Sequence, residues 1–151
     1  MSNFYKVITV IKDALLNDAQ VNTVSFGSFW DLDTSKQTIY SIANIDVDSI
    51  ELIGNVNRYN LSIILADIVD DSKKKDTNQF LRNNNLQDIL ATQVTVANIL
   101  VDRLSRGDLM RDKFQLIGTV TLEMFEERFD NLLAGVAFQI QVEVPNNITI
   151  C

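Results

Sequence analysis

The sequence has no histidine, and only one cysteine and one proline, in 151 residues. Histidine is the commonest general base near neutral pH and the commonest transition-metal ligand. Its absence excludes Ser-His-Asp and Cys-His nucleophilic systems, and zinc sites built on imidazole. The one cysteine is Cys151, the last residue. It allows neither an internal disulfide nor a dithiol pair, the pattern expected of a reducing cytosolic origin. Glycine is scarce too, and neither a GxGxxG stretch nor a P-loop occurs. The longest apolar runs are too short to cross a bilayer, and Asp or Asn interrupts several of them. The opening MSNFYKVITVIKDALL lacks a basic n-region, a continuous apolar block and a small-residue cleavage site, so no signal peptide is expected.

Positive charge is also in deficit. Thirteen Lys and Arg against 20 Asp and Glu leave a net charge of −7 and a pI near 4.4. Non-specific affinity for nucleic acid comes from neutralising phosphates, so this balance argues against gripping DNA or RNA. It is compatible with standing beside a polyanion that slides past. Hydrophobic residues make up 46% and charged residues 22%, the composition of a globular chain with enough length for one core. One domain, 1–151, is expected, with no repeat and no low-complexity tract.

Phe4, Val7, Ile8, Ile11 and Leu15 recur at helical spacing and predict a first helix over 3–18, with Ser2 as its cap. The period then changes. Residues 21–30, 37–47 and 52–67 are rich in β-branched and aromatic side chains and predict three strands, with turns at DLDTSK and near DSIE. Residues 67–78, DIVDDSKKKDTN, read as a surface loop. A second main helix is expected over 86–106, capped by Asn85 and stopped by Gly107 in the left-handed conformation. Its buried face would be Leu86, Ile89, Leu90, Ala97, Leu100, Val101 and Leu104.

Two strands close the chain. In 113–125, Val120, Leu122 and Met124 alternate with Thr119, Thr121 and Glu123. In 135–147, GVAFQIQVEVPNN, the apolar set is Val136, Phe138, Ile140, Val142 and Val144. Burying those five gives roughly 7–15 kcal/mol of gross transfer free energy. A slip of one residue would turn them all to water, so the register must be tightly held. The connection 126–131 suits an antiparallel hairpin. The expected fold is α+β: an antiparallel sheet of about five strands, with a long C-terminal hairpin and two main helices on one face. Strands of about twelve residues reach ~40 Å. They must bend or project, and projection leaves half-apolar backbone for a neighbouring subunit.

Three clusters carry candidate chemistry. Asp46 and Asp48 are alternate carboxylates with Glu51 close by, a pattern that suits a hard cation, although no calcium-loop pattern follows and a solvated strand face is the better reading. Asp70, Asp71, Lys73, Lys74 and Lys75 suit a partner-docking loop or a solvated loop. Glu126, Glu127 and Asp130 have the residue types for acid–base work, but they fall in an expected turn with Arg128 able to pair with any of them. A hairpin turn or subunit contact is the better reading. Phe29 and Trp30 fit core packing or an interface anchor. Sequons at Asn60 and Asn147 read as accidental, the first because it lies inside an expected strand. No catalytic residue, cofactor or metal is expected.

Residues 127–147, ERFDNLLAGVAFQIQVEVPNN, resemble the C-terminal end of the tail-terminator or tail-completion (neck) proteins of tailed bacteriophages. In these a turn segment of the type RFDN-LAG leads into a final strand ending EVPN. The segment DTNQFLRNNNLQDIL before the second helix is similar as well, as is the order of a leading helix, a sheet, a long helix and a last hairpin. The resemblance implies a non-enzymatic structural virion protein, assembled in the host cytoplasm as a homo-oligomeric ring, hexamer or dodecamer. Such a ring sits between the head connector or portal and the tail, around the channel through which DNA leaves without specific binding. On this reading the subunit interface draws on Phe125, Arg128, Phe129, Asp130, Val136, Phe138, Pro145, Ile148 and Ile150, with 145–151 tucked against a neighbour or the connector. Two other classes compete: a cytosolic dimeric α+β protein that binds a small ligand or regulates, and a hydrolase using the carboxylates at 126–130 or 46–51.

Overall fold

A computed structural model describes residues 3–28, 41–69, 85–128 and 132–145. The elements run α1 (Asn3–Leu16), β1 (Thr23–Phe26), β2 (Ile42–Ile53), β3 (Val56–Ile68), α2 (Leu86–Ser105), α3 (Asp108–Arg111), β4 (Gln115–Ile117), β5 (Glu123–Arg128) and β6 (Leu132–Pro145). The α+β class holds: six strands form one sheet, and α1 and α2 pack with it into a shared core.

α1 buries Val7, Ile11, Ala14 and Leu15, the stripe its spacing predicts. It ends at Leu16 rather than residue 18, because the Asp18 carboxylate accepts the Gln20 N–H at 2.9 Å and starts a turn there. On α2 the buried side chains are Ile89, Gln93, Val96, Ala97, Leu100 and Leu104. Leu86, Leu90 and Val101, expected in that set, are only half-buried. Gln93 lies inside because its Nε2 donates to the Ser41 hydroxyl at 2.8 Å, a bond no sequence period shows.

Both expected ends of α2 need correction. Asn85 precedes the helix, and its carbonyl accepts the Ile89 N–H, but its side chain makes no capping bond. Gly107 is extended (φ −101°, ψ −154°) and not left-handed. What requires glycine there is a close approach, since a Cβ would stand 2.7 Å from Arg103 Cα. The left-handed residue comes one short helix later. Lys113 has φ 72°, its N–H bonds to the Met110 carbonyl, and the Phe114 N–H bonds to that of Leu109. This is a Schellman end to α3, with lysine where glycine normally sits and with buried Phe114 and Leu109 at the usual apolar positions. Lys113→Gly should therefore stabilise the fold by about 1 kcal/mol, read as a raised urea midpoint; a lowered midpoint would show that the lysine side chain matters more than its backbone strain.

The sheet order is β1-β2-β3-β6-β4, with β5 also paired to β6. It is mixed, not wholly antiparallel, because β1 runs parallel to β2 with Thr23 opposite Ile42. The stretch between Phe26 and Ile42 is long enough for the crossover a parallel pair requires. Asn44 locks this pair: its Nδ2 donates to the Gly27 carbonyl at 2.8 Å, and its Oδ1 accepts the Ser25 hydroxyl at 2.7 Å. The turn expected near DSIE lies further on. β2 continues through those residues with an irregularity around Asp48, and the two-residue turn Gly54-Asn55 joins it to β3. Gly54 supplies the positive φ of 66° that such hairpin turns need.

The expected strand 113–125 is two strands. β4 pairs Ile117 with Gln141 and β5 pairs Glu123 with Ala137, so residues 118–122 stand against only 138–140 of β6. The chain bows outward there, starting at Gly118 with φ 74°. Val120 and Leu122 still reach the core, but Met124 is exposed. The five alternating residues of β6, Val136 to Val144, are all buried, at 4% exposure or less, and the strand pairs with β3 in one unbroken register.

Candidate functional site

The helices cover one face of the sheet. The other carries a ladder of polar side chains that follows from the alternation of β2, β3 and β6. Arg58 sits at its centre, with Nη2 2.7 Å from Glu143 Oε1 and Nη1 3.2 Å from Glu51 Oε2. Asn60 Nδ2 donates to Ser49 Oγ at 2.8 Å and to Glu51 Oε1 at 3.3 Å, and the Ser62 hydroxyl donates to the Asp48 carboxylate. The ladder therefore engages Asp48 and Glu51 of the 46–51 cluster in bonds within the sheet. Among the described residues no three His, Cys, Asp or Glu side chains converge as a metal site would require. Asn60 of the first sequon faces this ladder from within β3.

The outward bow at 118–122 opens a groove of about 440 Å³ on the same face, lined by Ser62, Thr119, Thr121, Glu123 and Gln139. A second hollow of about 230 Å³ adjoins it, shares Thr119 and Gln139, and reaches Asp48, Asn60 and Gln141. The lining mixes hydroxyl, amide and carboxylate groups with apolar residues such as Ile64, Ala137 and Ile140. It can hold water or polar backbone, and the hydroxyl–carboxylate pair at its wall, Ser62 with Asp48, belongs to the ladder.

Glu126, Glu127 and Arg128 belong to β5, opposite Ala134, Leu133 and Leu132, and not to a turn. Phe125 is half-buried opposite Gly135. Pro145 ends β6 opposite Val56. Val136 and Phe138 are buried in the subunit's own core, at 0% and 4% exposure. Phe29, Trp30, Asp70, Asp71, Lys73, Lys74, Lys75, Phe129, Asp130, Asn147, Ile148, Ile150 and Cys151 lie outside the described residues. Of the loop expected to begin at residue 67, Asp67 and Ile68 are instead the last residues of β3. Burial pushes the Asp67 carboxyl above the usual range, partly offset by the Ile68 N–H it accepts at 2.7 Å.

The surface that stands out was not singled out by sequence. β1 shields β2 only from Ile42 to Ile45. From Asp48 onward every residue of β2 is exposed, and Ile50, Leu52 and Ile53 are among the large apolar side chains left in water. Met110, on α3, is another. The signal was present: three apolar residues within SIELIGN, directly before a hairpin turn. A turn placed at DSIE concealed it by ending the strand too early.

α3 is held in place by an ion pair with defined geometry. Arg103 Nε and Nη2 donate to the two carboxylate oxygens of Asp108 at 2.8 and 2.7 Å, a bidentate clasp between α2 and α3. These bonds, and then the guanidinium charge, hold the Asp108 carboxyl down from 3.8 to about 2. A depressed carboxyl contributes stability above its unfolded pKa and loses it as pH falls through the folded one. The urea midpoint should thus decline between pH 3.8 and about 2, and Asp108→Asn should flatten that part of the profile. An unchanged profile in the variant would mean that the clasp carries no stability.

Among the described residues no helix is long and apolar enough to cross a membrane. No protein-family model matches the chain, and no curated protein matches it significantly.

Proposed function

We infer that the protein is a non-enzymatic structural subunit that assembles with copies of itself into a ring, in the neck of a tailed bacteriophage between the head connector and the tail. The observation that carries this reading is the bare half of β2, where Ile50, Leu52 and Ile53 meet water on a strand whose outer side has no partner among the described residues. Unpaired, apolar strand edges are an aggregation hazard that isolated proteins normally suppress. A subunit that buries the edge against another copy has no need to. The sheet's two outer sides are unlike, and unlike surfaces assemble head to tail, which closes into a ring when the rotation allows.

The phage context rests on the resemblance of residues 127–147 to tail-completion proteins. It is supported by the net charge of −7, which suits a channel wall that must not hold the DNA passing through it. Electron micrographs of the purified protein should show rings with a central opening, and mass spectrometry of purified virions should find the chain as a stoichiometric component. A protein that remains monomeric at every concentration and is absent from particles overturns the reading.

A further inference from the structure

The registers can be read straight across the sheet. Gln115, Glu143, Arg58 and Glu51 stand on one level, Leu116, Val142, Tyr59 and Ile50 on the next, and Ile117, Gln141, Asn60 and Ser49 on a third. β4 on one outer side is therefore level with the middle of bare β2 on the other. One step along the sheet the situation differs. Glu123 of β5 is level with Ala137, Ile64 and Asn44, and at that height β1 already covers β2. Among the described residues, the bare stretches on the two sides thus match in height at β4 and β2 and not at β5.

Direction matches as well. β2 is antiparallel to β3, β3 to β6, and β6 to β4, so β4 and β2 run opposite ways. A second copy placed alongside, upright and with no rise, would lay its β2 against β4 as one more antiparallel pair. The chemistry agrees. β2 presents Ile50 and Leu52, the latter 78% exposed, among Asp48 and Glu51. The β4 side presents exposed Met110 with Arg111 and Lys113, both exposed and neither in an ion pair with a described residue. β5 offers Glu123 and Glu126 instead, which would repel the acidic strand.

We propose that the bare edge of β2, residues 46–53, is the docking surface for the β4 edge of a second copy of this chain, with Glu51 of one copy beside Gln115 of the next. The sheet then continues from subunit to subunit, as in strand addition to an exposed edge. Leu52 and Ile50 come to lie against Met110 and Leu116, and Glu51 comes diagonally to Lys113. The inference takes from the preceding reading only that copies assemble head to tail.

The test uses the full chain with Cys151→Ser. Glu51→Cys together with Gln115→Cys should give, on mild oxidation, a ladder of disulfide-linked oligomers that collapses on reduction. Glu51→Cys with Glu126→Cys should not. Leu52→Lys, at a position open to water, should weaken self-association at least ~10-fold with the unfolding midpoint unchanged. Rings that form without cross-linking at 51 and 115, or that tolerate Leu52→Lys, overturn the edge assignment and leave the ring standing. Cross-linking by Glu51→Cys alone means that two β2 edges face each other, which overturns the head-to-tail form. Protein that sediments as a monomer throughout overturns both.

Discussion

Gly135→Ala should destabilise the protein by more than about 3 kcal/mol, enough to abolish folding or leave the chain insoluble. Gly135 lies in β6 opposite Ala66 of β3. A Cβ built on it would stand 1.8 Å from the Leu65 carbonyl oxygen, 2.8 Å from that residue's carbonyl carbon and 2.9 Å from Ala66 Cα. All three are backbone atoms of the neighbouring strand. A flexible side chain could step aside, but backbone within a ladder moves only by breaking the ladder. Gly118→Ala is the control. Nothing lies within 4 Å of its Cβ position, so only the strain of φ 74° opposes a side chain, and about 1 kcal/mol is expected. Chemical denaturation of both variants compares the two mechanisms directly. Equal, small losses would mean that β3 and β6 separate easily at this point.

Phe138→Ala should cost about 3–5 kcal/mol, and the loss should appear in the isolated subunit. Phe138 is 4% exposed, pairs across from Ile63 and belongs to the main core cluster with Leu61, Ile140 and Leu100. Truncating the ring leaves a cavity against β3, which at Ile63 is paired to both β2 and β6 and cannot shift to fill it. As one of the residues the family resemblance assigns to the subunit interface, Phe138 makes the experiment discriminating. A variant with wild-type urea resistance that fails to form rings would show that the side chain works between subunits. A variant that unfolds early, with assembly lost in proportion, shows that it works within one. The burial predicts the second result, and a stability within about 1 kcal/mol of wild type would sink it.

Some features were legible because they are local. The stripe of α1, the extent of α2 to within a residue, and the alternation of β6 all follow from periods of 3.6 and 2 residues, which one segment expresses alone. The α+β class follows from their order. Other features were hidden because two distant segments create them. Gln93 is buried by Ser41, and Gly107 is required by Arg103. β1 runs parallel to β2, a direction that no pattern within TVSF records. The break between β4 and β5 passed unnoticed because an outward bow that adds two residues preserves the alternation on either side. The apolar end of β2 is hidden by the turn expected near DSIE, and even a strand read through to Ile53 would not show whether a helix or water covers it.

By itself the chain determined its main helices and the alternation of β6, its acidity and its lack of imidazole chemistry, since these are properties of residues and of their nearest neighbours along the backbone. Tertiary structure alone decided which strand edges are shielded and which are bare. Edge exposure depends on the order in which strands lie side by side, and that order is settled by the joint burial of the whole core rather than by any one segment. The proposal that identical copies meet at β4 and β2 belongs to this second kind of knowledge, because the levels of Glu51 and Gln115 coincide only through two intervening strands.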